Sequence, residues 1–225
     1  MTGSAAGAGR DWLAGPVLEV APRLLGAHLT TALPDGVVTV RLTEVEAYAG
    51  QQDPGSHAFR GRTARNAAMF GPAGHLYVYR HLGLHICANI VTGVAGTAAA
   101  VLLRAGEVVQ GRDLALERRR RRGVVRTDAD LARGPARLAD SLGIDLTLYG
   151  VDVLDDAGPV RLVRTASVPE HRTGPRVGVS GDGGDAVTHP WRFWLDGEAT
   201  VSAYRPAQPR PRRPGSRGPE RRGLP

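Results

Sequence analysis

Residues 41–50 read RLTEVEAYAG and alternate apolar and polar side chains with the period of a strand. In an uninterrupted strand that alternation puts Glu44, Glu46 and Tyr48 on one face, while Leu42, Val45 and Ala47 cannot all share the other. Two carboxylates and a phenol therefore point the same way. Carboxylates are depleted in strands and costly to bury unpaired, so the segment reads either as the wall of a site or as a half-solvated strand with a polar outer face. It arrives as the second arm of a hairpin. Residues 29–33 and 37–48 flank the turn signal Pro34-Asp35-Gly36, which carries the two carboxylates toward the middle of the fold.

A chain of 225 residues, 42% of them hydrophobic, can bury one sizeable core, and nothing in its patterning calls for a second domain. The expected division is a disordered lead at 1–10, one globular domain at 11–205 and an Arg/Pro-rich disordered tail at 206–225. No run of about 18 apolar residues or lipidation signature is present, so the expectation is a soluble protein of the cytoplasm. The single cysteine, Cys87, excludes an intrachain disulfide, and the scattered histidines give no zinc-like spacing. Charge is unevenly placed. All 29 basic residues are arginine, and six of them against one glutamate lie in 206–225, which holds most of the net +7. Such a tail can hold a polyanion weakly, or simply be solvated. Without lysine, no side-chain amine exists to form a Schiff base.

Along the chain, Gly15-Pro16 opens a short amphipathic helix ending near Gly26. Residues 51–70 form a long polar segment holding His57, Arg60, Arg62, Arg65 and Asn66, and loops of that length inside a domain are usually functional or disordered. Residues 75–80 read as a strand with Tyr77 and Tyr79 on one face, followed past Gly83 by another at 84–91. Residues 98–104 are a buried strand ending in Arg104. Residues 107–122 read as a helix closing on five arginines, 118–122, taken as a solvated face that suits the helix dipole. Thr127-x-x-Asp130 resembles a capping box before a helix at 131–142 interrupted at Gly134-Pro135. Strands are expected at 151–163, 176–179, 191–195 and 200–204.

The segments VEAYAG, SHAFRGRTARNAAMFGPAGHLYVY, HICANIV, AVLLRAGE, ARGPARLADSLGI, GPRVGVSG and HPWRFWLDG stand in this order over most of residues 17–205. Together they resemble the alkyladenine (3-methyladenine) DNA glycosylase family. The resemblance implies a single-domain α+β fold, a curved antiparallel sheet with surrounding helices, that excises damaged purines from double-stranded DNA in base excision repair. It implies no metal or redox cofactor, a monomer, no membrane partner and a nucleoid-associated location. Position by position, it implies that Glu46 is the catalytic carboxylate that activates water and that Arg104 helps hold that water and the nucleotide. Tyr48, His57 and Tyr79 would be the rings enclosing a flipped base, and Asn89 the amide that excludes guanine. Arg65 and Asn66, in the segment TARN, would lie near the DNA, and the backbone of 177–179 would line the water site. Where the family carries a wedging tyrosine, this chain has Leu82, and Leu84 replaces a common methionine.

Each residue also has a plainer reading from the sequence. Tyr77 and Tyr79 could be core aromatics, His57 a surface histidine, Asn89 a structural hydrogen-bonding group, and Arg104 the buried ion-pair partner of Glu44 or Glu46. Two other functional classes stay open at this point: a non-catalytic nucleic-acid-binding module, and a carbohydrate hydrolase using Glu44 and Glu46 as a pair. The latter is disfavoured because carboxylates on one strand face do not flank a scissile bond.

Overall fold

The architecture is built outward from one long strand. The structure, a computed structural model, describes residues 9–207. After a short 3-10 turn at Arg10–Trp12, helix α1 (Val17–Arg23) places Val17, Val20 and Ala21 against the core. Strands β1 (His28–Leu33) and β2 (Gly36–Tyr48) form the expected hairpin, Leu33 facing Gly36 across the turn. Then come β3 (Leu76–His81), β4 (His85–Val91) and β5 (Ala100–Gln110). Helices α2 (Arg112–Arg120), α3 (Ala129–Ala132) and α4 (Pro135–Leu142) follow, with α4 packed on β4 and β5. Short strands β6 (Val160–Val163), β7 (Arg172–Gly174) and β8 (Arg192–Trp194) complete one antiparallel sheet. Its order is β3-β4-β5-β2-β1-β6, with β8 alongside β2 and β7 beyond it. This is the expected α+β fold.

The centre of β2 is hydrogen-bonded on both sides. Glu44 and Glu46 face Ala105 and Leu102 of β5 on one flank and Trp194 and Arg192 of β8 on the other. Between Leu42 and Val45 the register slips, leaving Thr43 as an extra residue, and Arg104 is likewise skipped on β5. A bulge of this kind reverses the in-out alternation beyond it. Leu42, Val45 and Ala47 consequently all join the hydrophobic core, which an uninterrupted strand forbids, and the face carrying Glu44, Glu46 and Tyr48 is turned away from it.

Several expected elements are placed differently. Residues 107–110 continue β5 and do not begin a helix. The break comes at Gly111, whose φ is +74° and whose position would bring a Cβ to 2.1 Å from the Val37 carbonyl, so only glycine ends the strand there and starts α2. The expected strand at 151–163 shrinks to β6, and residues 176–179 and 200–204 are not strands; they are held by side chains, as described below. Thr127 and Asp130 do bond to each other, while Asp130 also takes Arg133 and Arg137. The segment expected as a disordered lead is described only at Gly9 and Arg10, and Arg10 donates to Asp152 at 2.5 Å. The Arg/Pro-rich tail lies outside the described residues except for Pro206 and Ala207. No helix among the described residues is long and apolar enough to cross a membrane.

The arginine run is not one solvated face. Arg118 and Arg119 are buried: Arg118 grips the Asp35 carboxylate at 2.5 and 3.0 Å and donates to the Ser141 carbonyl, while Arg119 donates to the Leu131 carbonyl and Asp140. Arg120, Arg121 and Arg122 are exposed. Arg118 thereby pins α2 to the β1–β2 turn and holds the Asp35 carboxyl below its ordinary value of 3.8, by its hydrogen bond before all else. Arg118→Gln should cost about 2 kcal/mol in urea unfolding at neutral pH, against less than about 0.5 kcal/mol for Arg121→Gln. A carboxylate whose folded value is lowered stabilises the fold above its unfolded value and loses that contribution as pH falls through the folded one, so the Arg118→Gln deficit should shrink in acid, below about pH 4.

Candidate active site

Glu44 and Glu46 are both fully buried and have different surroundings. Glu44 is enclosed by donors: Arg104 Nε at 2.8 Å, Arg192 Nε at 2.7 Å, and the amide and hydroxyl of Ser202 at 2.7 and 2.9 Å. Glu46 accepts from the Val177 amide at 2.7 Å and the Tyr48 hydroxyl at 2.9 Å, and lies 3.3 Å from Arg104 Nη1. Glu46 forms part of a cavity wall and Glu44 does not. Two buried carboxylates beside Arg104 and Arg192 make a cluster without net charge, the condition under which buried charges are tolerated. The contact of Arg104 with both glutamates raises its already high pKa against the opposing effect of burial.

The cavity holds about 490 Å³, within the range of small-molecule sites. Its walls bring together Glu46, Tyr48, His57, Tyr79, Asn89 and Arg104, residues from β2, the 51–70 loop, β3, β4 and β5. Tyr77 and Tyr79 stack with ring centroids 5.5 Å apart, and the His57 ring meets Tyr79 edge-on at 4.5 Å. His57 Nδ1 lies 3.0 Å from the Tyr77 hydroxyl. Burial pushes the Tyr77 hydroxyl up to about 12, and burial followed by the Glu46 charge pushes Tyr48 well upward, so both phenols stay protonated and able to donate. His57 moves the other way. Burial first, then the positive charge of Arg65 and the neighbouring His81, lowers its pKa below the ordinary 6.5. Asn89 lines the cavity and donates its amide nitrogen to the Tyr77 carbonyl at 2.8 Å. Cys87 also lines the cavity, its thiol pushed up chiefly by burial.

The remaining sequence candidates occupy the rim. Arg65 lies 5.6 Å over the Tyr79 ring and donates to the Arg80 carbonyl, leaving its side chain exposed beside the cavity. Asn66 is 2% exposed; its amide donates to the carbonyls of His57 and Gly61 and accepts from Thr63, so it ties the loop that presents His57. Leu82 stands at the tip of the β3–β4 hairpin, 80% exposed, with φ of +49°. With Gly83 at φ +73° and the Leu84 amide bonded to the His81 carbonyl, this is a mirror-image turn that favours Asn-Gly. A leucine in the left-handed region is unfavourable by about 1 kcal/mol, and strain of this kind collects at functional positions.

Four contributors went unseen in the sequence. Arg176 is completely buried, paired to Asp53 by two bonds of 2.6 Å, and lies 4.5 Å from the Tyr48 ring and 5.1 Å from that of Trp191. Asp53 also accepts from the amides of Ala49 and Gly55, so this pair locks the start of the 51–70 loop and aims the adjoining Val177 amide at Glu46. Arg192 and Ser202 act on Glu44 from 148 and 158 residues away. Separations of that size leave no local pattern to read. Among the described residues no group of three or more His, Cys, Asp or Glu could hold a metal ion.

The family profile described as methylpurine-DNA glycosylase (MPG) matches residues 11–199. A Streptomyces avermitilis protein named "Putative 3-methyladenine DNA glycosylase" is 55% identical over 91% of this chain and 94% of its own. Proteins with the same name from Leifsonia xyli subsp. xyli and Mycobacterium tuberculosis are 54% and 46% identical, covering 88% and 87% of this chain and 92% and 93% of theirs. The family match spans the whole cavity wall, from Glu46 to Ser180, and the chain belongs to the methylpurine-DNA glycosylase family.

Proposed function

We propose that this chain is a monofunctional glycosylase that flips alkylated or deaminated purines out of double-stranded DNA and excises them by water attack at the N-glycosidic bond. The observation that carries the reading is Glu46: a buried carboxylate whose oxygens are held by Tyr48, Arg104 and the Val177 amide, at the wall of a cavity lined by Tyr48, His57, Tyr77 and Tyr79. Reaching a purine inside a duplex requires extrusion of the nucleotide, which costs least where a base is damaged or mispaired. The rings then receive the base by stacking, and favour one made cationic by alkylation. As the bond between sugar and base breaks, positive charge develops at the anomeric carbon. Glu46 stabilises that charge and takes a proton from the attacking water; the new C–O bond forms as the base leaves with the C–N electrons. Arg104 orients Glu46 and the water beside it. With no lysine in the chain, water is the nucleophile we assign, and strand cleavage does not follow.

Asn89, fixed by the Tyr77 carbonyl, is the residue we assign to rejecting ordinary guanine, whose amino group would need the space the amide holds. Leu82 is assigned as the wedge that fills the vacated place in the stack, a role apolar side chains play in other DNA binders. Arg65 contacts the DNA at the rim, and Asn66 holds the loop from beneath. A paired-carboxylate sugar hydrolase is less well supported, because Glu44 is bonded to Arg104, Arg192 and Ser202 and is absent from the cavity wall. A damage-binding module without catalysis is an outcome of the first experiment below.

Single-turnover base release from duplexes carrying hypoxanthine, ethenoadenine or 7-methylguanine should occur with wild type and fall by about a hundredfold or more in Glu46→Gln, with lesion binding retained. Binding without release by either protein would replace the enzyme with the binding module. Leu82→Asn should relieve turn strain and raise thermal stability slightly, yet weaken lesion capture by at least about tenfold; unchanged capture would remove the wedge. Because burial, then the charges of Arg65 and His81, lowers the His57 pKa below 6.5, its ring is mostly neutral at that pH and gains its proton as pH falls further. That charge would oppose a cationic base. The half-saturation concentration for a 7-methylguanine duplex should therefore rise as pH falls below 6.5, and His57→Gln should flatten the rise.

A further inference from the structure

Residues 200–205 have no regular secondary structure and begin just past the family match, yet they touch the catalytic cluster at several points. The Thr200 and Thr43 hydroxyls are 2.8 Å apart in a buried contact at the β2 bulge. Ser202 then engages every member of the charge cluster except Glu46. Its amide and hydroxyl donate to the two oxygens of Glu44, its hydroxyl oxygen accepts from Arg104 Nη2 at 3.3 Å, and its carbonyl accepts from Arg192 Nη2 at 2.6 Å. Three residues on, the Arg205 carbonyl accepts from the Gly178 amide at 3.0 Å, beside the Val177 amide that donates to Glu46.

We propose that residues 200–205 form an active-site strap in which Ser202 is a positioning residue for Arg104, and through Arg104 for Glu46. The proposal rests on the glycosylase reading above. Arg104 meets Glu44 at 2.8 Å through Nε and Glu46 at 3.3 Å through Nη1. The shorter contact sets the plane of the guanidinium, so its orientation toward Glu46 is decided from the far side, by Glu44 and the serine hydroxyl. That hydroxyl suits the task because it donates its hydrogen to Glu44 while its lone pair accepts from Arg104, a double use that alanine cannot supply. Arg192 balances the charge: with Glu44 satisfied by two arginines and Ser202, Arg104 keeps one nitrogen for Glu46. Neither Ser202 nor Glu44 lines the cavity, so the strap acts on the chemical step and not on capture of the base. A positional error of this kind, outside the reacting groups, is enough to slow a reaction markedly.

The test uses the full chain and a duplex with one ethenoadenine, reading the maximal single-turnover rate and the half-saturation concentration separately. Ser202→Ala should lower the maximal rate about tenfold, the scale of one hydrogen bond to a charged group, with half-saturation within about twofold of wild type. Ser202→Thr, which keeps the hydroxyl, should restore most of the rate. Glu44→Gln is avoided because it would leave two buried guanidinium groups short of a counterion. A wild-type rate in Ser202→Ala, a fall in rate matched by a rise in half-saturation, or no recovery with threonine would each overturn the strap and leave the glycosylase standing. Wild type that releases no base would overturn the glycosylase reading and the strap with it.

Discussion

The charges of Glu44, Glu46, Arg104 and Arg192 are buried together in the middle of the sheet, and the surrounding structure depends on that arrangement. An unpaired carboxylate there would be costly by several kcal/mol, so neither glutamate could stand in the strand without the arginines on the two neighbouring strands. The consequence is topological as well as electrostatic. β5 and β8 both have to flank the same three residues of β2, and residues 200–205 have to return across them to complete the hydrogen bonds of Glu44. Removing either arginine leaves a buried carboxylate short of its counterion, which ties the integrity of the fold's centre to this cluster.

Around that centre, a second buried ion pair shapes the entrance. Arg176 and Asp53 fasten the 51–70 loop to the segment after β7, and the close approach of the two is possible because Gly55 and Gly183 meet there: a Cβ on Gly183 would lie 2.3 Å from the Gly55 amide nitrogen. The loop so fixed presents His57 to the tyrosines of β3, and Asn66 prevents it from falling away. The cavity is thus tied by buried ion pairs on its Glu46 wall, while its outer edge, the β3–β4 hairpin tip, carries exposed Leu82 and Leu84 in a strained turn. A pocket fastened by buried pairs beside a protruding apolar tip is the arrangement on which the proposed flipping and wedging rest.

Much of this was legible in the residues themselves. The hairpin around Pro34-Asp35, the strands of β3 and β4, the buried run of β5 and the carboxylate face of β2 all follow from local periodicity and turn chemistry, which need only neighbouring residues. The cavity residues Glu46, Tyr48, His57, Tyr79, Asn89 and Arg104 were identified as a set through their resemblance to a family, and they do converge on one wall system. The helix expected at 107–122 overran the end of β5: Val108 and Val109 suit a strand, and the contact of Gly111 with the distant Val37 decides where it stops. The arginine run misled for the same reason: Arg118 and Arg119 are buried by partners at Asp35, Ser141, Leu131 and Asp140 that no window around residue 118 contains.

By itself, then, the sequence determined the hairpin and the two-carboxylate strand, because alternation and turn residues are local properties, and its resemblance to a family implied the antiparallel α+β fold around them. Only the tertiary structure decided that Glu44 and Glu46 have separate roles. The bulge at Thr43 lets Leu42, Val45 and Ala47 share the core, and arginines 60 and 148 residues distant turn Glu44 into a counterion while Glu46 alone meets the cavity. A carboxylate's role is set by the donors that reach it, and those donors are brought by folding.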